Sequence, residues 1–138
     1  MNIAQLLLFS AMVTCVMNAS DGNPIPVEVW RGGDDGLTLR LADALENAFT
    51  ASPYFILSSG RKKGTLVVRI PTHVGWRQIG KRTRVLYKVV FASADDQNVG
   101  GSAGSCWEDA ITQCAAEVVK DAKTAARVVS SHPAQPSL

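Results

Sequence analysis

The side chains that could do acid–base or covalent chemistry are few in this chain of 138 residues. Its two histidines are His73 and His132, and the second stands in "SSHPAQPSL" (130–138), a tail with two prolines and no apolar period. A Ser-His-Asp arrangement needs its histidine oriented by a carboxylate, whereas the nearest charges along the chain from His73 are Arg69 and Arg77. Asp34-Asp35 and Asp95-Asp96 sit among loop-forming residues, where turn chemistry accounts for them. "GGSAGS" (100–105) precedes a helical pattern and resembles an anion-cradling loop, but it lacks the Gly-Lys-Ser/Thr ending of a P-loop. Cys106 and Cys114 have no histidine beside them, so two thiols make an incomplete metal site. No catalytic residue, metal or cofactor is expected, and the chain is expected to be a non-enzyme.

What remains is charge. "HVGWRQIGKRTRVLYKVVF" (73–91) reads as two strands and a turn, yet five of its first sixteen residues are Arg or Lys. From Asn47 to Ala94 there are nine basic residues and no acid, while the rest of the chain has five basic and twelve acidic residues. The net charge of +2 therefore conceals a polarised molecule. Strand alternation puts Leu66, Val68, Ile70, Val74 and Trp76 on one side, and Val67, Arg69, His73 and Arg77 on the other. In the next strand Val85, Tyr87, Val89 and Phe91 oppose Arg82, Arg84, Leu86 and Lys88. The expected basic face thus comprises Arg69, His73, Arg77, Arg84 and Lys88, with Lys81 and Arg82 at or beside the turn. Two roles fit it: shielding an exposed sheet from aggregation, or docking something anionic. Trp76 is expected to pack at the end of the sheet, unless a bend at Gly75 releases it as an aromatic anchor.

The elements that position these residues follow from periodicity. "VEVW" (27–30) reads as a strand and "RGGDDG" (31–36) as a loop. Leu37, Leu41, Leu45, Ala48 and Phe49 form one helical face, capped by Asp34 or Asp35. A strand follows Pro53, and two longer ones span 64–80 and 83–93. "ADDQNVGGSAGS" (94–105) reads as a turn with at most one weak edge strand. Trp107, Ile111, Cys114, Val118, Ala122, Ala125 and Val129 step by three or four and predict a long final helix. The order β-α-β-β-β-α, with two amphipathic helices, predicts an α+β two-layer sandwich: a mostly antiparallel sheet with both helices on one face.

The first nineteen residues are apolar almost throughout and end at Ala19, before a polar stretch with two prolines. That is the signal-peptide pattern, although no Lys or Arg precedes the apolar core, and an uncleaved anchor is the alternative. Met12-Val13-Thr14 before Cys15 matches a lipoprotein cleavage box poorly. The expected divisions are a signal peptide at 1–19, an extension at 20–26, one domain at 27–130 and a tail at 131–138. Export places the protein in the periplasm or outside the cell, where thiols oxidise. A Cys106–Cys114 disulfide is then expected, against the alternative of two buried thiols. Within one helix the pair would stand ~12 Å apart, beyond the ~7 Å that a disulfide tolerates. Cys106 must therefore lie outside the helix.

The stretches "LTLRLADALENAFTASPYFIL" (37–57), "GTLVVRI" (64–70) and "YKVVFAS" (87–93), followed by the long helix, resemble bacterial envelope modules of the TolB N-terminal-domain type and LpoB-like and CsgG-like proteins. The resemblance implies a non-enzymatic role in assembling or regulating envelope complexes, and it carries over no functional residue. The partners expected are an envelope protein or an anionic envelope ligand. Export argues against nucleic acid. A periplasmic inhibitor or immunity protein is the alternative, supported if the loop 75–82 enters a cleft. A small hydrolase acting through His73 on an anionic polymer ranks third.

Overall fold

The computed structural model describes residues 23–131. The expected 1–19 leader, residues 20–22 of the expected extension, Cys15 and His132 lie outside them. The order is β1 (Ile25–Arg31), α1 (Gly36–Ala51), β2 (Phe55–Leu57), β3 (Leu66–Ile70), β4 (Gly75–Ile79), β5 (Arg82–Ala92), β6 (Asn98–Trp107), a short 3-10 turn (Glu108–Ala110) and α2 (Ile111–Ser131). β1 thus starts inside the stretch expected as an extension. The α+β architecture is as expected: one mostly antiparallel sheet with two helices.

β1 pairs in parallel with β2 on one side and β3 on the other. The long β5 organises the remainder. Its C-terminal half pairs antiparallel with β3, its N-terminal half with β4 on the same side, and nearly its whole length with β6 on the opposite side. α1 packs over β1 and β2, α2 over β6, β5 and β3, and the helices pack on each other. Leu41, Leu45 and Phe49 of α1 and Val118 and Ala122 of α2 meet Val27, Leu66, Val68, Val85, Val89 and Phe91 of the sheet in one core.

Asp35 caps α1. Its backbone is extended and its carboxylate accepts from the Thr38 amide at 3.2 Å, satisfying one of the donors that a helix start leaves open. The helix ends at Ser52, whose amide donates to the Phe49 carbonyl, just before Pro53.

Two features differ from the sequence reading. The expected third strand is two strands: Arg69 pairs with Val90, but Gly75 pairs with Leu86, so two extra residues are accommodated between β3 and β4. Pro71, which cannot donate to a ladder, stands in that break. The insertion is even, so Arg69 and Arg77 keep the same face, while His73 leaves the ladder.

The second difference is β6, a ten-residue strand where a turn with one weak edge strand was expected. Its small residues serve packing rather than propensity. A β-carbon on Gly104 would lie 2.9 Å from the Tyr87 hydroxyl oxygen, and the Ser102 hydroxyl donates to Asp121 of α2 at 2.6 Å. β6 is thin so that Tyr87 and α2 can come close. Cys106 is the penultimate residue of this strand and Cys114 lies in the first turns of α2; they are bonded, with Cα atoms 5.7 Å apart. Cys106 is outside the helix, as the spacing required. Trp107, expected on the helix, instead closes β6.

Candidate functional site

The sheet face turned away from the helices is built by alternation: Glu28 and Trp30 of β1, Val67 and Arg69 of β3, Gly75, Arg77 and Ile79 of β4, and the even-numbered residues of β5 from Arg82 to Ala92. β6 adds Ala103, Ser105 and Trp107. This face has two ends with different electrostatics.

At the β1–β3 end, charge is consumed internally. Arg69 donates to Asp96 at 2.8 Å, and Arg61 donates to the same carboxylate at 3.1 and 3.3 Å. The Arg69 hydrogen bond, followed by the Arg61 charge, holds the Asp96 carboxyl below the usual carboxylate range. The Arg61 guanidinium lies 5.2 Å from the centre of the Trp30 ring, and the Arg61 amide donates to Glu28. Arg61 and Asp96 are also the two non-glycine residues with left-handed backbones among those described. An aspartate tolerates that conformation. For Arg61 it costs about 1–2 kcal/mol, which these contacts offset.

At the β4–β5 end, part of the charge stays open. Arg82 lies 4.0 Å and Arg84 4.8 Å from the Trp107 ring centre, within cation–π range. Arg82 donates to Asp109 at 3.1 Å, and Arg84 donates through Nε and Nη2 to the Ser105 hydroxyl. Arg77 stands directly across from Arg84, an arrangement of like charges that costs stability. Among the described residues, Arg77, Lys81 and Lys88 make no ion pair or side-chain hydrogen bond.

His73 is not on this face. In the β3–β4 break its Nδ1 lies 2.5 Å from Asp35 Oδ1, and Thr38 Oγ1 donates to the same oxygen while accepting from the Val74 amide. The Thr38 hydroxyl bond, then the His73 bond, lower the Asp35 pKa to about 2. The pair ties the start of α1 to the strand break. Trp76 does lie on the helix-facing side, yet β4 runs beyond the helices and the indole is 63% exposed. It does not pack at the sheet's end. All five residues of β4 are exposed, Ile79 at 48%, and Leu86 opposite Gly75 is 40% exposed.

Periodicity located the cations but not their contacts: Asp96 and Asp109, which pair with Arg69 and Arg82, and the Trp107 ring against Arg82 and Arg84 come from segments that it could not place across the sheet. Among the described residues no three His, Cys, Asp or Glu side chains gather as a metal site, and no helix is long and apolar enough to cross a membrane.

No protein-family model matches the sequence, and no curated protein matches it either. Solved structures do. A PelC variant from Paraburkholderia phytofirmans, crystallised as a dodecamer, is similar with a TM-score of 0.50 and 14% identity over 82% of this chain and 89% of that one. A protein from Xanthomonas campestris of the DUF330 family is similar with a TM-score of 0.51 and 13% identity over 79% of this chain and 91% of that one. A minor lipoprotein from Acinetobacter baumannii is similar at 13% identity and a TM-score of 0.46, over 83% and 98% of the two chains. What the first two share with this chain is the fold. Neither is named as a TolB-type or LpoB-like module.

Proposed function

We propose that this protein is an exported, non-catalytic binding or assembly module of the bacterial envelope. It acts on an envelope protein or anionic ligand through the β4–β5 end of its open sheet face. The observation that carries the reading is the unneutralised charge there: Arg77, Lys81 and Lys88 lie around exposed Ile79 and Leu86, with exposed Trp76 on the reverse side of β4, whereas Arg69 is spent on Asp96. Opposed like charges cost stability and exposed apolar groups invite association, and recognition of an anionic partner gives both a use. Support for the compartment comes from the apolar leader pattern and from the disulfide, which persists in oxidising surroundings. The PelC dodecamer, a protein of this fold in an assembly, supports the assembly role.

The exposed hairpin tip at Gly80-Lys81 favours a second reading, an inhibitor whose tip enters an enzyme's cleft. One experiment addresses both: immobilised protein is exposed to an envelope extract, alongside the double variant Arg77→Glu, Lys88→Glu. Salt-sensitive capture that the variant loses is expected, and the captured protein's identity separates a structural partner from an inhibited enzyme. Capture that is indifferent to salt and to both substitutions would overturn the role of this face.

A further inference from the structure

Among the described residues, β4 is an edge with no strand beside it on the side away from β5. Its substantial contacts are with β5 alone. β1 flanks β3 on the side away from β5, but it ends at Arg31, level with Ile70, before β4 begins. The lane that β1 occupies beside β3 is therefore vacant beside β4. Just past β1, Gly32 still donates its amide to the Ile70 carbonyl and sits so close to Pro71 that a β-carbon there would collide with the Pro71 carbonyl oxygen.

The turn fixes which backbone groups face the vacancy. Ile79 and Arg82 flank a two-residue loop whose first residue, Gly80, has φ +61, the glycine position of a type II′ hairpin. Such a loop closes on a pair that exchanges both backbone hydrogen bonds, and the pattern alternates from there. Ile79, Arg77 and Gly75 thus bond inward to β5, while Trp76 and Gln78 direct N–H and C=O outward. The side chains agree: Thr83 donates to Gln78 at 2.9 Å, the close approach typical of a pair without mutual backbone bonds.

We infer that β4 receives an extended, acidic segment of a protein partner by strand addition into the lane that β1 leaves empty. The occupant follows from charge and chemistry. Arg77 projects on one side of this edge and Lys81 at its tip, neither with an acid, so carboxylates on the incoming strand would neutralise them. Trp76 and Ile79, on opposite sides of β4, offer apolar contacts to alternate residues of the same segment. A second copy pairing β4 with β4 would set Arg77 and Lys81 against their own like charges, a device that discourages edge-to-edge association. The chain's own ends are poor candidates, since outside 23–131 its single acid is Asp21. A lipid or nucleic acid has no amide ladder to offer.

The inference rests on the proposed binding role and specifies its mode, so the test must separate the two. The probe is a synthetic peptide of about eight residues alternating glutamate and valine, with a lysine–valine peptide as control, titrated calorimetrically into the full chain. The glutamate peptide is expected to bind at least about tenfold more tightly than the control and to weaken with salt. It should slow amide hydrogen exchange at Trp76 and Gln78. Gln78→Pro removes one outward donor without changing charge, at an edge position where proline is tolerated, and should abolish binding. If binding survives Gln78→Pro, or if exchange slows only on β5 and β6, the edge is not used, and the open-face reading stands without it. If Gln78→Pro lowers the melting temperature markedly, the exchange pattern of the unaltered protein decides alone. Absence of binding at millimolar peptide, or a dimer in sedimentation that Gln78→Pro dissociates, would overturn the inference.

Discussion

Reversing one charge at Arg77 should move stability and binding in opposite directions. Arg77 and Arg84 are directly opposed across β4 and β5, on the exposed side of the sheet. Directly opposed side chains place charge centres at about 6 Å, where two unit charges in water-like surroundings repel by ~0.7 kcal/mol. Arg77→Glu turns that repulsion into attraction, and Arg84 Nη1 is free to receive the carboxylate because Nε and Nη2 are engaged by Ser105. Screening at physiological ionic strength roughly halves the swing, leaving a gain of about 0.7 kcal/mol, in the upper range for an exposed pair. For a domain of this size that is a rise of about 3 °C in melting temperature. Calorimetric melts in low and high salt check it, the rise shrinking as salt increases. Binding of an anionic partner should fall in the same variant. A melting temperature lowered by more than about 2 °C would refute the reasoning, because it would mean that Arg77 makes a stabilising contact.

Other perturbations have equally definite outcomes. Replacing Cys106 and Cys114 together by serine releases a short loop and should cost about 2.5 kcal/mol, read as an earlier denaturation midpoint. Gly104→Val forces a side chain against the Tyr87 hydroxyl and should cost about 1–3 kcal/mol by overpacking, read in the same denaturation. Trp76→Ala should leave that midpoint nearly unmoved, since the indole is 63% exposed, while weakening capture of the partner. The Asp35 pKa is lowered from 3.8 to about 2, so its contribution is complete above pH 3.8 and is lost as pH falls through about 2. Asp35→Asn should flatten the acid limb of the stability curve in that window, as followed by far-UV circular dichroism.

The sequence disclosed the core and the helices because both rest on periodicity. Leu41, Leu45 and Phe49 of α1 and Cys114, Val118 and Ala122 of α2 were each set by spacing and are buried. β6 was illegible for a physical reason. Its Gly, Ser and Ala residues carry no strand propensity, and they are small because Tyr87 and α2 approach them closely. Alternation gave the correct face for Arg69, Arg77, Arg84 and Lys88, since the two-residue insertion preserved parity. It failed for His73, which sits inside the insertion. The ion pairs were beyond a linear reading: Asp96 and Asp109 are each 27 residues from the arginines they meet, Arg69 and Arg82. Hence the seven expected residues of the basic face divide: Arg69 and Arg82 pair with acids, His73 lies off the face, and among the described residues Arg77, Arg84, Lys88 and Lys81 at the tip have no acid partner.

The central claim is that the β4–β5 end of the open face meets the partner. Site-specific photocrosslinking in living cells tests it most directly, with a benzophenone side chain placed at Lys81, at Lys88 or, for comparison, at Glu117 on the exposed surface of α2. The account predicts a discrete adduct in the envelope fraction from positions 81 and 88, lost when Arg77→Glu is added, and none from position 117. An adduct from position 117 alone would contradict it.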